Sequence, residues 1–341
     1  CAHPSIIISD PVTRERQTVS PASLVSGGEL PLILGLPKRS VTGLTTVRMA
    51  EFGRNVFTLT PPPKAGGENR MIQLGNIRHM GITEKTPLQL SAESLTSHCF
   101  LCGSTGSGKS NTVYLMLEEL GRCGVKFLVV EPAKGEYRRE FGGMKGVNIY
   151  TTNPGCFAML QLNPFQFPQG THVLEHLDRL IEIFGACWPM FGAMPAILKQ
   201  GLERIYQNHG WDLVNSVRVN AAGSPFPTFA DLLKTLPAVI KDAGYSGDTT
   251  SEYTGALVTR IRSLTNGIPG QIFCSGLSVP NRMLFDENTI IDLSRIGSSE
   301  TKSLIMGILI LRLNEYRAAT AKGSNKALCH VTVLEEAHNI L

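Results

Sequence analysis

The sequence has little of what would place it in a membrane, in a secreted disulfide framework or among histone-like binders of nucleic acid. Its 341 residues contain no apolar run of about 20, the length a spanning helix needs. The longest uncharged stretch near the middle, Ile183 to Leu198, is broken by Gly185, Pro189, Gly192 and Pro195, and Leu304–Leu311 is shorter still. No signal peptide is visible. The chain opens at Cys1 without a Met and stops at Leu341, and it reads as an internal piece of something longer. Positive charge is in small excess, 32 Lys and Arg against 28 Asp and Glu, or +4. That leaves room for a local basic stripe but not for bulk electrostatic binding of nucleic acid. Internal repeats and low-complexity tracts are absent.

Cysteine is present but not in a framework. Eight stand at positions 1, 99, 102, 123, 156, 187, 274 and 329. Cys99 and Cys102 form one CxxC in HCFLC, without the second CxxC of a zinc ribbon. Read as a strand, positions 99 and 102 face opposite sides, so their thiols would not converge. The expectation is free, buried thiols in a reducing cytoplasm.

What is there is globular: 42% hydrophobic and 18% charged residues, enough for about two domains. Residues 1–95 alternate short apolar segments (Ser5–Ser9, Leu30–Leu36, Asn55–Leu59, Met71–Leu74, Pro87–Leu90) with Gly, Pro and charged clusters. That spacing suits a small barrel-like β-rich domain, with Thr60–Arg70 a loop. From about His98 the pattern becomes βαβ: strand Ser97–Cys102, a Gly loop, helix Lys109–Arg122 and strand Val125–Glu131. Residues 172–270 show helical spacing. A return to α/β follows, with strand Thr289–Leu293, helix Glu300–Thr320 and strand His330–Glu335. The run Leu304–Leu311 reads as a core helix against the sheet.

The strongest chemical signal is GSTGSGKS, Gly103–Ser110, which fits G-x-x-x-x-G-K-[ST] between a strand and a helix. Gly103, Gly106 and Gly108 permit backbone angles that turn consecutive N–H groups inward. Those groups and the positive end of the next helix stabilise a polyphosphate. Lys109 adds charge at the β- and γ-phosphates, and the Ser110 hydroxyl suits Mg²⁺. Ser104, Thr105, Ser107 and Asn111 complete the segment expected to hold ATP. A second signal closes the chain: an apolar strand, Val331–Leu334, runs into Glu335 and Glu336. At the carboxyl end of such a strand, one acid (Glu335) can serve the metal and the next (Glu336) the attacking water. Glu131 ends the strand after the first helix and is expected beside the phosphate loop. Lys134, Glu136 and Arg138 follow it, and they contact phosphate, a neighbouring subunit or only solvent.

GSTGSGKSNT, FLVVEPAKGEY, TIIDLSRIGSSETKSLIMGILILRLNEY and VLEEAHNIL occur in this order. Together they closely resemble the HerA/FtsK group of RecA-like P-loop ATPases, HerA-type translocases in particular, from about Ile72 to the last residue. The separation of 226 positions between Lys109 and Glu335 also resembles that family, whose core carries a helical insertion there. The resemblance implies an α/β fold: a RecA-like core over 96–341, incomplete at its carboxyl end and interrupted by helices at 172–270. A small β-rich domain over 1–95 precedes it. It implies a homo-hexameric ring that hydrolyses ATP with Mg²⁺ at subunit interfaces and moves double-stranded DNA, often beside a nuclease or other effector in DNA processing or antiphage defence. Lys109 and Ser110 take the phosphate-loop roles, Glu335 and Glu336 the acid pair, and Glu131 the family's acid after the second core strand. Arg138 and Arg295 are the in-chain candidates for an arginine acting across an interface. The alternatives are a type IV secretion or conjugation ATPase acting on protein, and a ring scaffold gated by ATP.

Weaker signals read as structural. His172 and His176 match H-x-x-E-H but lack a third ligand, so core or solvated histidines are expected. His98 reads as structural, and His338 either reports nucleotide state or caps the strand exit. The basic doublets around Lys134, Arg138 and Arg139, and at Arg260 and Arg262, lack the aromatic interleaving of a single-strand binder.

Overall fold

The computed structural model describes residues 6–9, 16–19, 70–79, 82–153, 155, 157–219, 226–276, 278–320 and 327–337. The chain divides into two compact units, Cys1–Thr58 and Leu59–Leu341. In the first, β1 (Ile6–Ser9) pairs antiparallel with β2 (Arg16–Val19). The expected strands Leu30–Leu36 and Asn55–Leu59, and the loop up to Asn69, lie outside the described residues, as does His338.

The second unit opens with an antiparallel hairpin, β3 (Met71–His79) and β4 (Ile82–Ser91). Ile72 and Ala92 pack with Leu120 and Val125, which seats the hairpin on the end of the phosphate-loop helix. Arg70 fastens the same corner: its guanidinium pairs with Glu93 and donates to the carbonyls of Cys123 (3.2 Å) and Leu328 (2.8 Å). Among the described residues the core is a five-stranded parallel sheet of β5 (Lys126–Glu131), β6 (Val147–Thr151), β7 (Ala158–Met159), β10 (Asn288–Asp292) and β11 (His330–Leu334), in the order β11-β5-β10-β6-β7.

β5 is buried on both faces from Phe127 onward, as its unbroken KFLVV run requires in a parallel sheet. Alternate side chains serve different layers. Phe127 and Val129 join Leu117 of helix Lys109–Arg122 together with Tyr137, Phe141 and Ile149. Leu128 and Val130 join the helical segments between residues 173 and 273 and the long helix Ser299–Thr320. That long helix buries Leu304, Ile305, Met306, Ile308, Leu309 and Leu311, as the apolar run implied. Between its helices the insertion also carries a short hairpin, β8 (Trp211–Asp212) with β9 (Val217–Arg218).

One expected element is absent. Ser97–Cys102 is not a strand: residues Ala92–Ser97 form a short 3₁₀ helix, and 98–104 run irregularly and largely exposed into the phosphate loop. His98 leaves the helix at φ 67°, a conformation that no strand continues. The place beside β5 is taken on one side by β11 and on the other by β10, so this segment finds no ladder there. Cys99 and Cys102 are therefore free but exposed, not buried, and Phe100 is 86% exposed.

Candidate active site

The phosphate loop follows the geometry its residues dictate. Gly106 and Gly108 adopt φ 79° and 91°, angles a side chain rarely tolerates. The first backbone bond of the helix runs from the Thr112 N–H to the Gly108 carbonyl (3.0 Å), and Gly108 supplies no side-chain cap. The N–H groups of Lys109, Ser110 and Asn111 thus precede the helix's own hydrogen bonding and suit an anion. Lys109 Nζ donates to the carbonyls of Gly103 (2.9 Å) and Ser104 (3.1 Å), which keeps the ammonium at the loop's mouth. Ser104, Thr105, Ser107 and Asn111 are exposed. The helix ends where Gly124 turns at φ 76° and the Val125 N–H returns to the Leu120 carbonyl (3.0 Å). The chain then re-enters the sheet as β5.

The carboxyl ends of three neighbouring strands each carry an acid. Asp292 of β10 is in register with Glu131 of β5. β11 pairs with β5 up to Leu334 and Val130, and the Glu335 N–H donates to the Val130 carbonyl (3.2 Å), so Glu335 comes next to Glu131 along this edge. Glu131 is buried and accepts the N–H groups of Glu136 (2.7 Å) and Tyr137 (3.2 Å). Burial raises its carboxyl above the usual range, and the charges of Asp292 and Glu335 add to this while the two N–H bonds oppose it. It is a turn-holding acid and touches the phosphate loop through Glu136.

Two consecutive residues connect the loop to the edge. Glu136 Oε2 lies 3.5 Å from Ser110 Oγ, and the Tyr137 hydroxyl donates to Glu335 Oε1 at 2.6 Å. The Tyr137 ring is buried, edge-on to Tyr114 at 4.9 Å and stacked with Phe141 at 6.5 Å. Burial first, then Glu335, holds its hydroxyl well above the ordinary tyrosine range, so it stays a donor. Tyr114 is pushed up to about 12, by burial and then by Glu136. Sequence reasoning missed Tyr137 and Asp292. The signal for Asp292 was an acid ending an apolar strand, the pattern that marked Glu131 and Glu335.

The remaining expected residues separate. Glu336 follows at φ 51° and is exposed. Arg138 Nη1 pairs with Asp292 at 3.0 Å, so its charge is used within the chain, whereas Arg295 is exposed. Lys134 sits 3.7 Å from Glu136. Arg139 and Arg262 are exposed, and Arg260 donates to the Pro189 carbonyl at 3.3 Å. The two histidines of H-x-x-E-H are structural. His172 caps helix Val173–Cys187 by accepting the Leu174 N–H (3.2 Å). His176 is fully buried against Glu315 (2.9 Å) and the Pro164 carbonyl (3.1 Å).

The donor set fits a magnesium nucleotide. A hydroxyl and carboxylates are hard oxygen ligands, suited to Mg²⁺ and not to zinc. Among the described residues no three His, Cys, Asp or Glu side chains form a metal cage. A magnesium ion held by one or two protein oxygens, phosphate and water needs none.

Residues 72–180 match the family model described as Helicase HerA, central domain. The solved structure of VirB4 of Thermoanaerobacter pseudethanolicus is similar at 15% identity, with a TM-score of 0.47, over 69% of this chain and 82% of that one. No curated protein sequence matches the chain. Among the described residues no helix is long and apolar enough to cross a membrane. The matched stretch runs from β3 through the phosphate loop, β5 and the acidic turn into the first helix of the insertion, and over these residues the chain is similar to the central domain of HerA helicases.

Proposed function

We propose that this chain is an ATP-hydrolysing motor acting on double-stranded DNA, assembled as a homo-hexameric ring and working in the cytoplasm with a nuclease or other effector. The observation that carries the hydrolytic part is the adjacency of Glu136 and Tyr137, one facing the phosphate-loop serine and the other the β11 acid. It draws residues 110, 131, 136, 137 and 335 into one site. The DNA substrate rests on the match of residues 72–180 to a helicase family.

In this reading the loop N–H groups and Lys109 bind the triphosphate of ATP, and Ser110 and Glu335 hold Mg²⁺. The ion supplies charge neutralisation at the β- and γ-phosphates when bound. Glu336, exposed at the strand exit, accepts the proton of the attacking water. Glu131 holds the turn that carries Glu136 and Tyr137. Arg295 is the exposed arginine that faces a neighbouring subunit.

The test is steady-state ATP turnover with and without duplex DNA. The expected result is a several-fold rise with duplex and loss of turnover in Lys109→Ala. Turnover that is intact but indifferent to duplex overturns the DNA reading. A Glu336→Gln protein that keeps its full effect on an effector would mark a scaffold instead of a motor.

A further inference from the structure

We propose that Tyr137 is the positioning residue for Glu335, fixing the acid on β11 relative to the serine of the phosphate loop. The proposal rests on the reading of Glu335 as the acid that faces the metal. Three observations meet at this side chain. Its hydroxyl donates to Glu335 Oε1 at 2.6 Å, across 198 residues of sequence. Its own backbone N–H is held by Glu131, so the donor is anchored to β5 and not to a free loop. Its ring is clamped by Tyr114 and Phe141, which leaves the hydroxyl little freedom to swing away.

Glu335 needs such a guide. It sits just past the end of β11, in a turn, and among the described residues β11 is the outermost strand of the sheet, half-buried along its whole length. A carboxylate placed there by backbone alone would sample several rotamers. A charge-assisted bond from a rigid, buried phenol selects one orientation of that carboxylate. It leaves the second oxygen, Oε2, for a ligand. Because Glu136 is the preceding residue and faces Ser110 at 3.5 Å, one turn sets the spacing between the two oxygens that would share a metal. Tyr137 does not itself touch the nucleotide; it acts through Glu335.

The experiment compares wild type, Tyr137→Phe, Tyr114→Phe and Glu335→Gln. Binding of a fluorescent ATP analogue is titrated at rising Mg²⁺, with turnover measured alongside. Phe keeps the ring and its packing, and Tyr114→Phe removes a neighbouring hydroxyl from the same aromatic cluster. Tyr137→Phe is expected to need about tenfold more Mg²⁺ for half-maximal binding and turnover, with affinity for metal-free nucleotide unchanged. Tyr114→Phe should titrate like wild type. Adding Tyr137→Phe to Glu335→Gln should change the Mg²⁺ dependence no further. Wild-type titration by Tyr137→Phe overturns the proposal, as does an equal shift in Tyr114→Phe or full additivity with Glu335→Gln. A wild-type protein that binds no nucleotide at any Mg²⁺ concentration defeats the ATPase reading instead.

Discussion

The phosphate loop takes its chemistry from consecutive residues, Gly103 to Asn111, and stands open to solvent. The acidic edge of the sheet gathers Glu131, Tyr137, Asp292 and Glu335 from three separate stretches of the chain, and all but Glu335 are buried. The loop is local and backbone-driven: glycine angles and unused helix N–H groups create it wherever a strand-to-helix turn allows. The edge exists only once β11, β5 and β10 have paired in register. Damage to the loop should therefore remove binding and leave the fold. Damage to the edge should cost stability and metal geometry together.

The largest effect that separates the two is Lys109→Ala. Turnover should fall by a factor on the order of 10² to 10³ with an unchanged melting curve, because the lysine's ammonium donates to two carbonyls of the loop itself. An equally large loss of thermal stability would break the contrast. Next comes Arg138→Ala, which strands the buried Asp292 beside Glu131. Urea unfolding should report about 3 kcal/mol of lost stability, and adding Asp292→Asn should recover most of it.

A third test uses pH. His330 begins β11, and burial first, then the charge of Arg317, lowers its imidazole from the usual value to about 4. The unfolded chain binds that proton at about 6.5, so the contribution is complete above pH 6.5 and is lost as pH falls toward 4. Roughly 2–3 kcal/mol should disappear across this window, and His330→Gln should flatten the slope. The smallest effect belongs to the loop side. Cys99→Ser and Cys102→Ser should change stability by less than about 0.5 kcal/mol, and both thiols should label quickly with maleimide.

The same contrast explains what was legible in the residues alone. The helix Lys109–Arg122 and strands β5, β10 and β11 fall within a residue or so of their expected bounds. Their apolar period, and the Gly124 stop after the helix, are local facts. The HCFLC segment misled because an apolar run signals burial only where it joins a ladder, and this one leaves a 3₁₀ helix through His98 at φ 67° and runs irregularly into the phosphate loop. Asp292 was marked by its place at the end of an apolar strand, but its pairing, like that of Tyr137, was hidden for a related reason. Their partners, Arg138 and Glu335, are 154 and 198 residues away, so no spacing rule joins them. His176 shows the reverse case: a metal-like pattern absorbed into the core by Glu315.

If loop and edge form one hydrolytic site, the fate of ATP bound to Glu335→Gln in the presence of Mg²⁺ shows it. The loop is intact in this variant, so radiolabelled ATP should bind and be recovered unhydrolysed, with turnover at least about 100-fold below wild type. Hydrolysis of the bound ATP at the wild-type rate would contradict the claim and uncouple the acidic edge from the phosphate loop.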